Sequence, residues 1–172
     1  RLYKEGLKIE IKEDKSPVSN GDLKVNQLIT NKISEITPNL PIVSEETSHN
    51  KSNKNLSDFW LVDPIDGTYD YINDLDEFTI NAGLIIDKTP VAGLIFAPAK
   101  DRMFYSYGDG LAFELKQGKE TKLGSSKDFD KNSIKFVSYS NKIKTEIQEI
   151  HKKLNVKSFT RMKSSLKFCV IA

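Results

Sequence analysis

The sequence has few of the residues that build disulfides, zinc sites or membrane spans. Its 172 residues include one cysteine, Cys169, and two histidines, His49 and His151. A single cysteine excludes an intramolecular disulfide, which is typical of reducing compartments and predicts a cytoplasmic location. So few thiols and imidazoles also exclude a Cys/His zinc cage. No apolar run approaches the ~20 residues of a membrane helix.

The charge distribution argues against a nucleic-acid polymer as a partner. Lysine and arginine total 26 against 24 aspartates and glutamates, which gives a net charge of +2. The basic residues are spread along the chain and form no cluster. The 9 glycines form no Gly-rich fingerprint ahead of a helix, which excludes a phosphate loop of that kind.

Residues 63–68, Asp-Pro-Ile-Asp-Gly-Thr, are the stretch on which the functional interpretation depends. They follow four bulky apolar residues, 59–62, which predict a buried strand. Its proline keeps Asp63 extended at the strand end, Gly67 allows a sharp turn, and Thr68 is predicted to cap the next helix. Such residues also form ordinary turns between a strand and a helix, so the motif needs support from elsewhere.

A second acidic pair, Glu45 and Glu46, follows a short apolar strand predicted over residues 40–44. Adjacent acids at a strand end usually face solvent. If this strand lies beside the one that ends at Asp63, however, three carboxylates meet, which is costly unless a cation compensates them. An all-oxygen set without His or Cys favours Mg²⁺, with Mn²⁺ as a substitute.

A helix is predicted from Ser19 or Asn20 to Ile36, because apolar residues recur there at helical spacing. Asp22 lies in its first turn, where the helix dipole stabilises a carboxylate. That structural role would account for Asp22 by itself, and a catalytic role is the alternative.

The rest of the chain divides at a polar stretch, residues 124–128. Before it, two predicted hairpins favour an α+β domain over 1–124 with a mainly antiparallel sheet and the metal site. The polar segment 47–57 is expected to form a lid. After the boundary, strands and helices alternate, which predicts the first part of an α/β domain over 125–172. The last apolar helical pattern has no stop signal, so we expect a fragment whose C-terminal half is truncated.

These motifs resemble the inositol monophosphatase superfamily, and within it the CysQ-type 3′(2′),5′-bisphosphate nucleotidases. The resemblance is carried by the following stretches: 16–19 with Asp22, 44–46, 59–68, 77–81 and 164–169. The central stretch marks the superfamily, and the last one points to nucleotidases. The resemblance implies a layered αβαβα sandwich of the sugar-phosphatase type. It also implies a Mg²⁺-dependent, lithium-sensitive phosphoric monoester hydrolase.

The resemblance further implies which residues bind metal. Glu45 and Asp63 would hold one Mg²⁺ ion together with the backbone carbonyl oxygen of Ile65. Asp63 would bridge to a second ion that Asp66 also holds. Whether two or three ions bind is left open.

Catalytic and substrate-binding roles come from the same resemblance. Asp22 and Thr68 would form a hydrogen-bonded pair that, with Glu45, orients and deprotonates the attacking water. Residues of the central motif would hold the phosphate, and two residues near the chain end would contact the nucleotide: Ile65, Asp66, Gly67, Thr68, Ser164 and Lys167. The expected partner is a small nucleotide bisphosphate. Peripheral association with the cytoplasmic membrane and the oligomeric state are left open.

Four features depart from the family's pattern. The chain ends before a later Trp-Asp motif that supplies a further metal ligand. Ser19 and Gly21 stand where threonine and alanine are usual. Residues 138–141 are Ser-Tyr-Ser-Asn instead of Ser-Arg-Ser-His, and Lys163 replaces a glycine. The last two lie in the expected nucleotide pocket, so the reaction type is better specified than the substrate.

Three functional hypotheses therefore stand side by side. The first is a nucleotidase of sulfur metabolism that converts adenosine 3′,5′-bisphosphate to AMP and phosphate. The second is an inositol- or sugar-phosphate phosphatase of the same superfamily. The third is a catalytically inactive fragment that binds metal or phosphate.

Overall fold

The computed structural model describes residues 6–13, 15–47, 55–124, 134–140 and 142–171. The strands in these residues are β1 Ile9–Ile11, β2 Pro17–Ser19, β3 Ile42–Ser44, β4 Phe59–Asp66, β5 Thr79–Ile86, β6 Thr89–Ala97, β7 Arg102–Tyr107, β8 Ala112–Lys116, β9 Lys119–Leu123, β10 Lys135–Ser138 and β11 Ser158–Arg161. The α-helices are α1 Asn20–Ile36, α2 Thr68–Ile72, α3 Thr145–Lys153 and α4 Leu166–Cys169. A short 3₁₀ helix covers Pro98–Lys100.

A seven-stranded sheet in the order β3-β4-β5-β6-β7-β8-β9 organises the fold. β3 and β4 run parallel, and every later neighbour is antiparallel. The strand before Glu45 therefore lies beside the strand that carries Asp63, which is the condition stated above for their carboxylates to meet. The hairpin β5–β6 lies in the interior of the sheet, as its apolar sequence on both faces predicted.

The central motif differs from its predicted conformation. β4 does not end before Asp63 but continues through Asp66, with an irregular register between these two residues. The cause is Pro64, which has no N–H to donate to the ladder. The turn follows at Gly67, whose φ is 98°, as predicted.

Helix α1 begins with a capping box. Ser19 accepts hydrogen bonds from the backbone N–H groups of Gly21 and Asp22, and the Asp22 side chain accepts from the Ser19 backbone. This arrangement satisfies donors that a helix start leaves unpaired. It buries Asp22, which is 1% exposed. The helix packs against β4, so its first turn and the central motif lie together.

The strands β2 and β9 were not predicted. β2 pairs with β1 in a separate antiparallel sheet, and β9 pairs with β8 at the edge of the main sheet. β2 was missed because its three residues were assigned to the segment before the helix cap. Short strands of this kind depend on their partner more than on their own sequence.

The chain after residue 134 has the predicted alternation of strands and helices. β10 and β11 are parallel, and α3 connects them. Helix α4 returns to the main sheet, where Leu166 packs against Ala97 and Phe104. Most of the predicted boundary at 124–128 and of the predicted lid at 47–57 lies outside the described residues, and the two-domain division remains a prediction. No helix in the described part of the chain is long and apolar enough to span a membrane.

Candidate active site

Thr68 and Asp22 meet where α2 begins beside the first turn of α1. The Thr68 hydroxyl donates to Asp22 Oδ1 at 3.0 Å and lies 3.2 Å from the carbonyl oxygen of Ile65. The other carboxylate oxygen of Asp22 accepts from the backbone N–H and the hydroxyl of Ser19, at 2.9 and 2.5 Å. Both oxygens of this buried carboxylate therefore have donors from the protein.

Thr68 does not cap the helix, so that prediction is wrong. The N-cap is Gly67, and no side chain supplies a capping bond there. The Thr68 hydroxyl instead donates a hydrogen bond to Asp22. Gly67 is required here because its φ is 98° and an added Cβ would lie 3.0 Å from the carbonyl oxygen of Glu77.

Glu45 and Glu46, which follow β3, differ in burial. The Glu46 side chain is only 5% exposed, whereas that of Glu45 is 47% exposed. The Lys12 ammonium contacts both, at 3.0 Å from Glu45 and 2.7 Å from Glu46. Partial burial alone would lower the pKa of Lys12, but the hydrogen bonds that its ammonium donates to Glu46 and Glu45 raise the pKa above its usual value. The expectation that both acids face solvent fails for Glu46.

One carboxylate oxygen of Asp63 lacks the hydrogen-bond donors that both oxygens of Asp22 have. Its buried Oδ1 has no hydrogen-bond partner among the described residues. Burial, followed by the nearby charges of Glu45 and Asp66, raises the pKa of Asp63 to about 7. A carboxylate in such surroundings favours either a proton or a bound cation.

Asp66 is held by the turn that precedes α4. Its Oδ2 accepts from the backbone N–H of Ser165 at 2.5 Å and from the Ser165 hydroxyl at 2.7 Å. The Thr79 hydroxyl approaches the same oxygen at 3.5 Å, and Asn81 donates to the Ser165 hydroxyl at 3.0 Å. Two distant segments of the chain therefore fix this carboxylate.

Ser164 and Lys167 lie at the start of α4. The Lys167 ammonium donates to the carbonyl oxygen of Ser164 at 2.7 Å and lies 4.6 Å from the centre of the Phe168 ring. Ser164 is buried and has a φ of 52°. Ser164 directly precedes Ser165, which contacts Asp66. The residues expected to contact the nucleotide therefore lie beside a residue expected to bind metal.

The set of donor atoms fits a hard divalent cation. The strongest evidence for this fit is the buried Oδ1 of Asp63, which has no hydrogen-bond partner among the described residues. The candidate ligands are oxygens alone, from Glu45, Asp63, Asp66 and the Ile65 carbonyl group, as Mg²⁺ prefers. In residues 6–13, 15–47, 55–124, 134–140 and 142–171, however, no three His, Cys, Asp or Glu side chains already form a metal-binding group. Lys12 and Ser165 bind two of the three acids instead.

Sequence reasoning missed Lys12, Ser165, Asn81 and Asp70. Ser165 and Asn81 lay inside stretches that carried the family resemblance, which was the available signal for them. Lys12 and Asp70 gave no signal, because their charged partners are 33 and 93 residues away in the sequence.

The family model described as the inositol monophosphatase family matches residues 1–172. The chain belongs to this family. It is 33% identical over 167 residues to the 3′(2′),5′-bisphosphate nucleotidase CysQ of Buchnera aphidicola, which covers 96% of the chain and 62% of that protein. It is 32% identical over 162 residues to CysQ of Escherichia coli K12, covering 94% of the chain and 64% of that protein. The chain thus spans less than two thirds of these curated relatives.

Solved structures show the same fold. The crystal structure of CysQ from Bacteroides thetaiotaomicron has a TM-score of 0.73 at 24% identity, covering 88% of this chain and 62% of that one. An IMPase/NADP phosphatase complexed with Mg²⁺ and phosphate has a TM-score of 0.75 at 16% identity, covering 94% and 60%. The predicted fold class, a layered sandwich with α+β and α/β parts, is confirmed by this likeness.

Proposed function

We propose that the protein containing this chain is a 3′(2′),5′-bisphosphate nucleotidase that converts adenosine 3′,5′-bisphosphate to AMP and phosphate. The observation that carries the proposal is the hydrogen bond between Thr68 and Asp22. It joins a buried carboxylate to the strand end that supplies Asp63 and Asp66. Membership of the inositol monophosphatase family supports phosphomonoester hydrolysis, and the CysQ relatives support the nucleotide substrate.

The metal ligands in this proposal are Glu45, Asp63, Asp66 and the backbone carbonyl oxygen of Ile65. They would hold two or three Mg²⁺ ions, with Mn²⁺ as a substitute. When bound, the ions would neutralise phosphate charge and make a water molecule more acidic. The oxygen of Asp63 that lacks a partner is the strongest support for a cation here.

The side chains of this chain would orient the attacking water. Because the Thr68 hydroxyl donates its proton to Asp22, its oxygen lone pairs are free to accept a hydrogen bond from water. Asp22 is fixed in turn by hydrogen bonds from Ser19. The Thr68 oxygen that accepts from water is therefore held in one orientation. Glu45, on the exposed side, would accept the proton that the water loses. This arrangement needs no covalent intermediate, because a general base and positioned water suffice.

The substrate is held by two segments in this proposal. The backbone N–H groups of Gly67 and Thr68 would bind phosphate oxygens beside Asp66. Ser164 and Lys167 would contact the nucleotide, with the lysine as a point charge for the second phosphate. The contact between Lys167 and the Ser164 carbonyl oxygen keeps these two residues together.

The test is a phosphate-release assay on the full-length protein. Adenosine 3′,5′-bisphosphate, inositol monophosphate and a sugar phosphate are compared with Mg²⁺ and with a chelator. We expect Mg²⁺-dependent release that is fastest from the nucleotide. Faster release from inositol phosphate would support the second hypothesis. No release from any substrate would support the inactive metal- or phosphate-binding protein.

A pair of variants tests the site within the same assay. Asp66→Asn is expected to abolish turnover while the fold remains intact, because it removes a charge from the metal site. Asp109→Asn is the matched control, since Asp109 is exposed and lies in the β7–β8 loop. Retained turnover of Asp66→Asn at saturating Mg²⁺ would contradict the metal assignment. The cytoplasmic location remains a prediction, and peripheral membrane association and the oligomeric state stay open.

A further inference from the structure

The turn between β11 and α4 is anchored to the first part of the chain by Lys163. Its ammonium lies 2.6 Å from Asp70 Oδ1, and its backbone N–H donates to Glu77 Oε2 at 3.3 Å. Asp70 belongs to α2, two residues after Thr68. The ion pair therefore joins this turn to the helix that begins at the candidate active site.

The buried position of Asp70 makes the loss of its partner costly. The Asp70 residue is 4% exposed, and the Lys163 side chain is 24% exposed. Removing one partner of a buried pair leaves an uncompensated charge, which costs more than any exposed pair contributes. The lysine ammonium also lies 5.7 Å from the centre of the Tyr69 ring, a second contact with α2.

The residues after Lys163 contact the proposed metal site directly. Ser165 donates two hydrogen bonds to Asp66 Oδ2, from its backbone and from its hydroxyl. Ser164, which lies between Lys163 and Ser165, has a positive φ of 52°. A non-glycine residue keeps such a φ only where surrounding contacts determine its conformation. The orientation of Asp66 thus depends on where this turn is held.

We propose that Lys163 is a positioning residue for the metal site. Its ion pair with Asp70 holds the turn against α2, and the turn presents Ser165 to Asp66 so that Asp66 is oriented as a ligand. The inference rests on the metal role of Asp66 in the proposed function. It does not depend on which phosphate ester is the substrate.

The first experiment measures Mn²⁺ binding to the full-length protein by electron paramagnetic resonance, without substrate. Lys163→Met is expected to weaken Mn²⁺ binding by about 10- to 100-fold, the usual effect of losing a residue that orients a metal ligand. Lys163→Arg keeps the charge and should bind Mn²⁺ more tightly than Lys163→Met. Lys157→Met is the control, because Lys157 is an exposed lysine of the same region whose ammonium donates to Asn155 and lies away from Asp70 in the sequence.

A double variant separates positioning from folding. Lys163→Met alone leaves Asp70 buried without a partner and should lower the melting temperature of the metal-free protein. In Lys163→Met/Asp70→Asn the buried charge is gone, so the melting temperature should recover. Mn²⁺ binding should stay weak, because the turn is still not anchored. Recovery of both properties in the double variant would show a purely structural role and overturn the proposal.

The outcomes also distinguish this inference from the proposed function. If the protein binds Mn²⁺ with the expected dependence on Lys163 but hydrolyses no nucleotide, the proposed function fails and the positioning role stands. If it hydrolyses the nucleotide and Lys163→Met binds Mn²⁺ as tightly as the wild type, the positioning role fails alone. Absence of Mn²⁺ binding to the wild type would overturn both.

Discussion

The two sides of the candidate active site treat their carboxylates in opposite ways. On the Asp22 side, both oxygens of a buried carboxylate accept hydrogen bonds from Ser19 and Thr68. On the Asp63 side, a buried oxygen has no partner among the described residues, and other acids lie nearby. The protein assembles the first side with its own donors. The second side is left with negative charge, which a cation would compensate.

The difference comes from the local chain at each side. Asp22 lies three residues after the N-cap Ser19, whose backbone N–H and hydroxyl both donate to its carboxylate. Asp63 lies in a strand and precedes Pro64, which has no N–H to offer.

The largest expected effect comes from removing charge on the Asp63 side. Asp63→Asn should lower Mg²⁺-dependent turnover of the full-length protein by about 10³-fold or more, since metal sites contribute several kcal/mol to such reactions. The same variant should be more stable than the wild type in the metal-free state, because the repulsion by Glu45 and Asp66 is relieved. Denaturant unfolding with a chelator measures the stability. A less stable variant would contradict the comparison.

Removing charge on the Asp22 side should have the opposite effect on stability. Asp22→Asn places an amide where two donors from Ser19 need an acceptor, so it should lower the free energy of unfolding by about 1–3 kcal/mol. Chemical denaturation with and without Mg²⁺ measures this change. The loss should be the same in both conditions, because Asp22 is not a proposed ligand. If Asp22→Asn lowers the free energy of unfolding only with Mg²⁺ present, Asp22 contributes to metal binding and the two sides of the site do not act independently.

A smaller effect on stability is expected from Gly21→Ala, where α2 packs against the first turn of α1. A Cβ at Gly21 would overlap the ring and hydroxyl of Tyr71. Helix propensity favours Gly21→Ala by at most about 1 kcal/mol, but overpacking costs about 1–3 kcal/mol, so we expect a net loss of stability. Gly93→Ala is a control for an added methyl group, since its nearest contact is an ordinary 3.7 Å to Ser106 Oγ. A stabilised Gly21→Ala protein would show that Tyr71 moves away freely.

The Asp63 side should also make the stability of the metal-free protein depend on pH. The pKa of Asp63 is raised from 3.8 to about 7, so the folded protein keeps a proton that the unfolded chain releases in this range. Stability should therefore fall as the pH rises from about 4 to about 7. Asp63→Asn should flatten this part of the profile. An unchanged profile in Asp63→Asn would assign the pH dependence to other groups.

Local patterns allowed much of the fold to be predicted. The helix at residues 20–36, the β5–β6 hairpin and the turn at Gly67 each follow from spacing or from a residue type within a few positions. The continuation of β4 to Asp66 was missed because the proline suggested a strand end, whereas the sheet accommodates it with a change of register.

Contacts between distant segments could not be predicted in the same way. Lys12 contacts Glu45 across 33 residues, and Ser165 contacts Asp66 across 99. No periodicity connects such pairs, because the fold alone brings them together. The failure of Thr68 as a cap is instead local, because the helix begins at Thr68 itself and the N-cap position therefore falls on Gly67.

The most direct measurement is a crystal structure of the full-length protein grown with Mn²⁺ and recorded near the manganese absorption edge. We predict an anomalous peak in contact with Asp63 Oδ1, with Glu45 and Asp66 turned towards it and Lys12 displaced from Glu45. Crystals with no anomalous peak there, in which Lys12 still contacts Glu45 and Asp63 Oδ1 still lacks a partner, would contradict the account.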